Sequence, residues 1–215
     1  MSFGKSFSPE KKWVDEAIKY ADSKDVLIVH AAGNESHNVD SVDNFPNADL
    51  LTLNTKAQNF ISVGASGDTH VASGKIIADF SNYGKNTVDV FAPGVKIYST
   101  LPGGNQYGFL NGTSMASPVV AGVAALIRSY YPALSAKQVK YAIERSAENL
   151  TGNTAVTVPG TERNVLINEL CKTGGFVNAD AAIELASTLK PEATDIKKKE
   201  KKSTPTLINS KESKN

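Results

Sequence analysis

The sequence predicts an α/β fold of helices layered on buried parallel strands, and three segments carry that prediction. An amphipathic stretch with helical spacing leads into Val26 to Ala32, a near-continuous apolar run of strand length, as expected for a strand covered on both faces. Phe60 to Ala65 is a second run of the same kind. From Ser114 to Tyr131 the sequence SMASPVVAGVAALIRSYY has almost no polar residue before Arg128, the pattern of a helix buried all round. Helices alternating with buried strands make a layered α/β domain, and 215 residues suffice for one such domain with a sizeable core.

The elements follow in order. Ser8-Pro9 opens the first helix, Pro9 fitting its first turn, with Trp13, Val14, Ala17, Ile18 and Ala21 on the apolar face. Residues 33–59 are rich in Asn, Asp and Ser and read as a long loop region. Val71 to Tyr83, containing Gly74, predicts a hairpin. Val88 to Phe91 and Val95 to Tyr98 predict short strands around the turn Ala92-Pro93-Gly94. Pro118 lies near the start of the long apolar helix, where a missing N–H is tolerated, and Pro132 ends it. Ser135-Ala136-Lys137-Gln138 is a capping box that opens a helix with Val139, Ala142, Ile143 and Ala147 inward. Residues 151–175 read as loop with a strand near Val165 to Ile167, and Asn178 caps a last helix through Leu189.

Composition narrows the function. With 23 basic and 22 acidic side chains the net charge is +1, which makes no electrostatic case for nucleic acid. No apolar run approaches the roughly 20 residues that span a bilayer, and Met1-Ser2-Phe3-Gly4-Lys5 is not the basic-then-apolar start of a signal peptide. Cys171 is the single cysteine, so it forms no internal disulfide and reads as a buried free thiol. From Lys190 onward a Lys-rich, Ser/Thr/Pro-rich end has the composition of a disordered tail, which separates 190–215 from a domain at 1–189.

The chemistry concentrates in Asn111-Gly112-Thr113-Ser114-Met115-Ala116-Ser117-Pro118. Here a serine stands between a glycine turn and an apolar helix, whose N-terminus offers free N–H groups and a positive dipole end. Ala116 in place of a second glycine excludes the G-x-S-x-G elbow. The segment resembles the nucleophile motif of the subtilisin-like (subtilase) serine proteases. Other segments resemble that family in the same order. Met1-Ser2-Phe3-Gly4 is similar to its substrate-binding strand, and Ala31-Ala32-Gly33-Asn34-Glu35 to its oxyanion segment. Asn44-Phe45-Pro46 and Ile61-Ser62-Val63-Gly64-Ala65 resemble a pocket wall and the next core strand. Phe80-Ser81-Asn82-Tyr83-Gly84, Val90-Phe91-Ala92-Pro93-Gly94 and Gly174-Gly175-Phe176-Val177-Asn178-Ala179 complete the series to about residue 188.

The resemblance implies a doubly wound parallel sheet with helices on both faces, a polypeptide substrate, and secretion or a cell-envelope location. It implies Ser114 as nucleophile, with the Asn34 side chain and the Ser114 N–H as oxyanion donors. Ser2, Phe3, Gly4, Ala31, Ala32 and Gly33 would line the cleft.

A serine hydroxyl also needs a base, and in this family the aspartate and histidine precede the oxyanion asparagine. Only 33 residues precede Asn34 here, so the expectation is a C-terminal portion of the catalytic domain, incomplete on its N-terminal side. Such a portion would be inactive without its missing half and would expose strand edges and apolar patches. The three histidines offer no substitute: His30 reads as a packed strand residue, His37 as an exposed loop residue and His70 as part of the surface hairpin. Asp40, Asp43 and Asp49 lack EF-hand-like spacing, so neither a metal site nor a cofactor is expected. A catalytically silent peptide-binding or scaffold fragment is the alternative.

Overall fold

A computed structural model describes residues 1–67, 75–149 and 155–192. The elements run α1 (Lys11–Ser23), β1 (Ile28–Ala31), β2 (Asp49–Leu50), a 3-10 turn (Leu51–Leu53), β3 (Thr55–Lys56), β4 (Phe60–Ser66), β5 (Val90–Pro93), β6 (Ile97–Leu101), β7 (Gln106–Leu110), α2 (Thr113–Tyr130), α3 (Ala136–Arg145), β8 (Ala155–Thr157), β9 (Asn164–Leu166), a second 3-10 turn (Ile167–Glu169) and α4 (Ala179–Thr188). The central sheet is three-stranded and parallel, in the order β1-β4-β5. Three antiparallel pairs, β2-β3, β6-β7 and β8-β9, lie outside it.

Side-chain alternation along the strands sorts the core into layers. Ile61, Val63 and Ala65 of β4, with Val90 and Ala92 of β5, pack with Val120, Val123, Ala124 and Ile127 of α2 and with α3 and α4. The opposite face carries two clusters. Phe60 meets Ile18 of α1 and Leu50, while Phe91 meets Val156, Val165, Leu170 and Cys171. Helices therefore cover both faces of a parallel sheet, as the sequence predicts.

The boundaries differ in places. Val26 is 47% exposed, and β1 is shorter than the apolar run because the turn at Lys24-Asp25 comes first. The first helix begins at Lys11, two residues after Pro9, and its Glu10 N-cap makes no side-chain bond. Trp13 is 69% exposed, and Ala17 also points out: Val14 and Ile18 alone form the inward row, with Asp15 buried beside them. That carboxylate is matched by Lys11 Nζ at 2.8 Å and by Thr52 Oγ1 at 2.9 Å, which ties α1 to the first 3-10 turn.

The long apolar helix is not buried all round. Its Ala116, Val120, Val123 and Ile127 row faces the sheet, but Pro118, Ala121, Gly122, Ala125 and Leu126 are exposed. Hydrophobic composition signals a face suited to burial and does not itself supply the element that covers it. The described part of the expected hairpin at Val71 to Tyr83 shows two isolated bridges to other segments, Ser66 to Ile77 antiparallel and Asn38 to Tyr83 parallel, and no hairpin pairing. Residues 71–74 lie outside the described residues, as do His70 and the tail from residue 193. The polar 33–59 region contains the β2-β3 pair and a 3-10 turn rather than loop alone. The strand expected at Val95 to Tyr98 is β6, which continues to Leu101 and pairs with β7.

The C-terminal elements follow the sequence closely. Ser135 and Gln138 form the reciprocal capping box of α3, whose Val139, Ala142 and Ile143 are fully buried. Asn178 caps α4 by accepting from the Ala181 N–H at 3.0 Å.

Candidate active site

The carboxyl ends of β1 and β5 converge with the N-terminus of α2, where ligands bind in open parallel sheets. β1 runs out through Ala32 and Gly33 to Asn34. β5 runs out to Gly94, whose carbonyl accepts the Gly112 N–H at 2.8 Å. Gly112 is the N-cap of α2 and holds φ +152° and ψ 157°, a backbone state open in practice only to glycine. Thr113 and Ser114 are thus the first two residues of the helix, positions whose N–H groups have no acceptor inside it.

Thr113 spends its N–H on Asn34. Both the Thr113 N–H and the Thr113 hydroxyl donate to Asn34 Oδ1, each at 2.9 Å. A backbone N–H can only donate, so the amide's oxygen faces Thr113 and its Nδ2 faces away. Among the described residues Nδ2 has no acceptor. The Thr113 hydroxyl also accepts the Gly33 N–H at 3.1 Å, so one buried side chain anchors both residues of the turn. A Cβ placed on Gly112 would lie 3.6 Å from the Ser114 nitrogen and 3.7 Å from Asn34 Nδ2. The two donors therefore flank one open spot that only a glycine leaves empty.

Ser114 and Ser2 form a reciprocal pair. The Ser114 hydroxyl donates to the Ser2 carbonyl, and the Ser2 hydroxyl donates to the Ser114 carbonyl, each at 3.0 Å. The second bond has a local cause: Pro118, four residues on, has no N–H to give the Ser114 carbonyl. Residues 1–5 lie along the open side of β1. The Ala31 N–H donates to the Met1 carbonyl at 3.0 Å, and Lys5 bridges Phe45.

Of the residues expected to line the cleft, Phe3, Gly4, Ala31 and Gly33 border a cavity of about 440 Å³ together with Asn34, Thr113 and Ser114. Ser2 reaches the site through its bonds to Ser114. Ala32 is 1% exposed, and its carbonyl takes the Asn44 and Asn82 amides, the former at 2.5 Å. A larger cavity of about 550 Å³ is lined by His30, Asp89, Lys140 and Lys172 but by neither Ser114 nor Asn34.

No described histidine serves Ser114. His30 is 2% exposed, and its Nε2 bonds the Phe3 carbonyl at 2.9 Å. Burial lowers its pKa to about 4, so it is neutral. His37 is exposed at the rim of the cleft. Cys171 is fully buried, and burial pushes its thiol up from the ordinary value, the opposite of what a nucleophile needs. Among the described residues no cluster of three metal-ligating side chains occurs, and no helix is long and apolar enough to cross a membrane. Sequence reasoning passed over Thr113, whose importance comes from its bonds to Asn34.

Subtilisin DY of Bacillus licheniformis is 43% identical over 135 residues, which cover 63% of this chain and 44% of that protein. An extracellular protease of Xanthomonas campestris pv. campestris is 39% identical over 183 residues, covering 80% of this chain and 26% of that one. Among solved structures, a protease of Pseudoalteromonas arctica superposes with a TM-score of 0.61 at 28% identity, over 86% of this chain and 50% of its own. The chain spans half or less of the length of the relatives it matches. The model of the subtilase family matches residues 1–164, and with the three-stranded parallel sheet and the Ser114 motif in place, the chain belongs to that family.

Proposed function

We propose that the chain carries the nucleophile and oxyanion hole of a serine endopeptidase that cleaves polypeptides by acyl transfer. Ser114 Oγ attacks the peptide carbonyl carbon. The oxygen, now carrying the negative charge, receives hydrogen bonds from Asn34 Nδ2 and the Ser114 N–H, at the positive end of the α2 dipole. Phe3, Gly4, Ala31 and Gly33, with Ser2 beside them, hold the extended substrate. The observation that carries this reading is the pinned Asn34 amide: Thr113 takes its oxygen and leaves its nitrogen free beside the helix N-terminus.

The base is the remaining requirement. A hydroxyl donating to the Ser2 carbonyl is not activated, because a carbonyl oxygen does not take up its proton. We infer that the histidine base and its aspartate come from polypeptide corresponding to the part of the relatives that this chain does not span. One relative is named an extracellular protease, and we extend that location to this chain.

A fluorophosphonate probe tests the reading. Applied to the 215-residue chain alone it should label little. Applied after addition of the complementary subtilase half it should label Ser114, with loss of label in Ser114→Ala. No labelling in either sample refutes the reading and favours a silent peptide-binding fragment, which the Ser114–Ser2 pairing would suit.

A further inference from the structure

We propose that Asn82 is the positioning residue that fixes Asn34, acting from beneath the 33–37 turn; this rests on the oxyanion role given to Asn34 above. Asn82 is 1% exposed and comes from the Phe80-Ser81-Asn82 segment, remote in sequence from the cleft floor. Its amide is used to capacity. Oδ1 accepts the Glu35 N–H at 3.1 Å and the His37 N–H at 2.8 Å. Nδ2 donates to the Ala32 carbonyl at 2.9 Å and to Glu35 Oε2 at 2.7 Å. Two donors and two acceptors exhaust what an asparagine side chain offers.

These four partners bracket Asn34 on both sides. Ala32 precedes the turn, and Glu35 and His37 follow it. The same Glu35 carboxylate oxygen also accepts the Asn34 N–H at 2.9 Å, so Asn82 reaches Asn34 through one intervening group. The Asn82 backbone adds a fifth tie, its N–H donating to the Gly33 carbonyl at 2.9 Å. Contact is so close that a Cβ on Gly33, whose φ is +104°, would come within 2.3 Å of Asn82 Nδ2. Thr113 fixes which way the Asn34 amide points, and Asn82 fixes where the turn that carries it sits. No other residue type of this size supplies two donors and two acceptors: aspartate would set a carboxylate against the Ala32 carbonyl and Glu35, and alanine would leave the Glu35 and His37 N–H groups unpaired and take one of two hydrogen bonds from the Ala32 carbonyl and from Glu35 Oε2.

Two readouts test this. In the full chain, Asn82→Ala should accelerate hydrogen exchange at the Glu35 and His37 amides at least tenfold, and unchanged exchange overturns the proposal. In the labelling-competent protein of the preceding section, Asn82→Ala should lower kcat about tenfold or more with KM within twofold. The same substitution made in an Asn34→Ala background should then add less than twofold. Additive losses overturn the proposal, because they place the effect of Asn82 elsewhere. Loss on Asn34→Ala but none on Asn82→Ala refutes this inference alone, whereas wild-type kcat in Asn34→Ala removes the oxyanion assignment and this inference with it. Should Asn82→Ala fail to fold, Asn82→Ser carries the same cycle.

Discussion

Thr113→Val is the substitution from which the architecture of the site can be measured without any need for activity. The Thr113 side chain is fully buried, so no water replaces what is removed. Valine keeps the shape and deletes the hydroxyl, which breaks two bonds, to Asn34 Oδ1 and from the Gly33 N–H. Asn34 is exposed, and its oxygen keeps the Thr113 N–H, so that loss is small, about 0.5 kcal/mol. The part-buried Gly33 N–H loses the partner it had and costs about 1–2 kcal/mol. The sum is about 2 kcal/mol. Thr113→Ser keeps both bonds and loses one buried methyl, about 1 kcal/mol. At about 2–4 °C per kcal/mol for a chain of this size, thermal unfolding followed by circular dichroism should fall about 4–8 °C for Thr113→Val and about half that for Thr113→Ser. A valine variant as stable as the serine variant would show that the hydroxyl does not hold the turn, and the reasoning about Asn34 would lose its anchor.

Three further outcomes are expected. Asn34→Ala should lower kcat about 10²–10³-fold, a magnitude measured for this type of donor in subtilisin; a loss below threefold in a hydrolysis assay contradicts the assignment. Gly112→Ala should abolish labelling of Ser114, because the added Cβ enters the spot between the two proposed donors and the backbone leaves its glycine-only state; full labelling refutes it. His30 should make stability pH-dependent. Its pKa is lowered to about 4 in the fold from 6.5, so between those values the unfolded chain binds more protons and stability is lost as pH falls. At 1.36 kcal/mol per unit this amounts to about 3 kcal/mol across the window. Denaturant unfolding at pH 7 and pH 4 should show that loss in the wild type and a flatter profile in His30→Gln, and equal slopes in both would dismiss it.

Features decided by local rules were legible in the sequence. The Ser135 capping box, the Asn178 cap, the start of α2 and the buried β4 strand each depend on a few neighbouring residues, and each lies where the pattern puts it. What eluded the sequence depends on distant partners. Trp13 fits the apolar row of α1 by spacing, but the row that finds a neighbour is Val14 and Ile18, because Leu50 and Phe60 sit on that side alone. The outer face of α2 is apolar by composition and exposed in fact, since no described element packs against it. The β6-β7 hairpin was half visible. Pro102-Gly103-Gly104-Asn105 is a turn sequence, and both glycines and Asn105 take positive φ, but the exposed Tyr98, Tyr107 and Phe109 give it no inward-outward alternation to read. Thr113 and Asn82 could not be ranked from sequence, because their weight comes from bonds to residues 79 and about 50 positions away.

The groups proposed to stabilise charge are held by contacts within this chain: Thr113 on Asn34, Gly94 on Gly112, and the helix end on Ser114. No described histidine is placed to remove a proton from Ser114, whose hydroxyl donates to the Ser2 carbonyl. Stabilisation and activation are thus physically separable here. A preformed oxyanion site stabilises the former carbonyl oxygen of a tetrahedral centre whichever nucleophile has added to it, so it should favour a transition-state analogue that needs no proton transfer from serine. A peptide aldehyde hydrate already carries the tetrahedral oxygen and should bind the 215-residue chain more weakly by at least tenfold when Asn34 is alanine, as read by isothermal titration. Equal affinities would mean that the Asn34 amide contributes nothing until the base arrives.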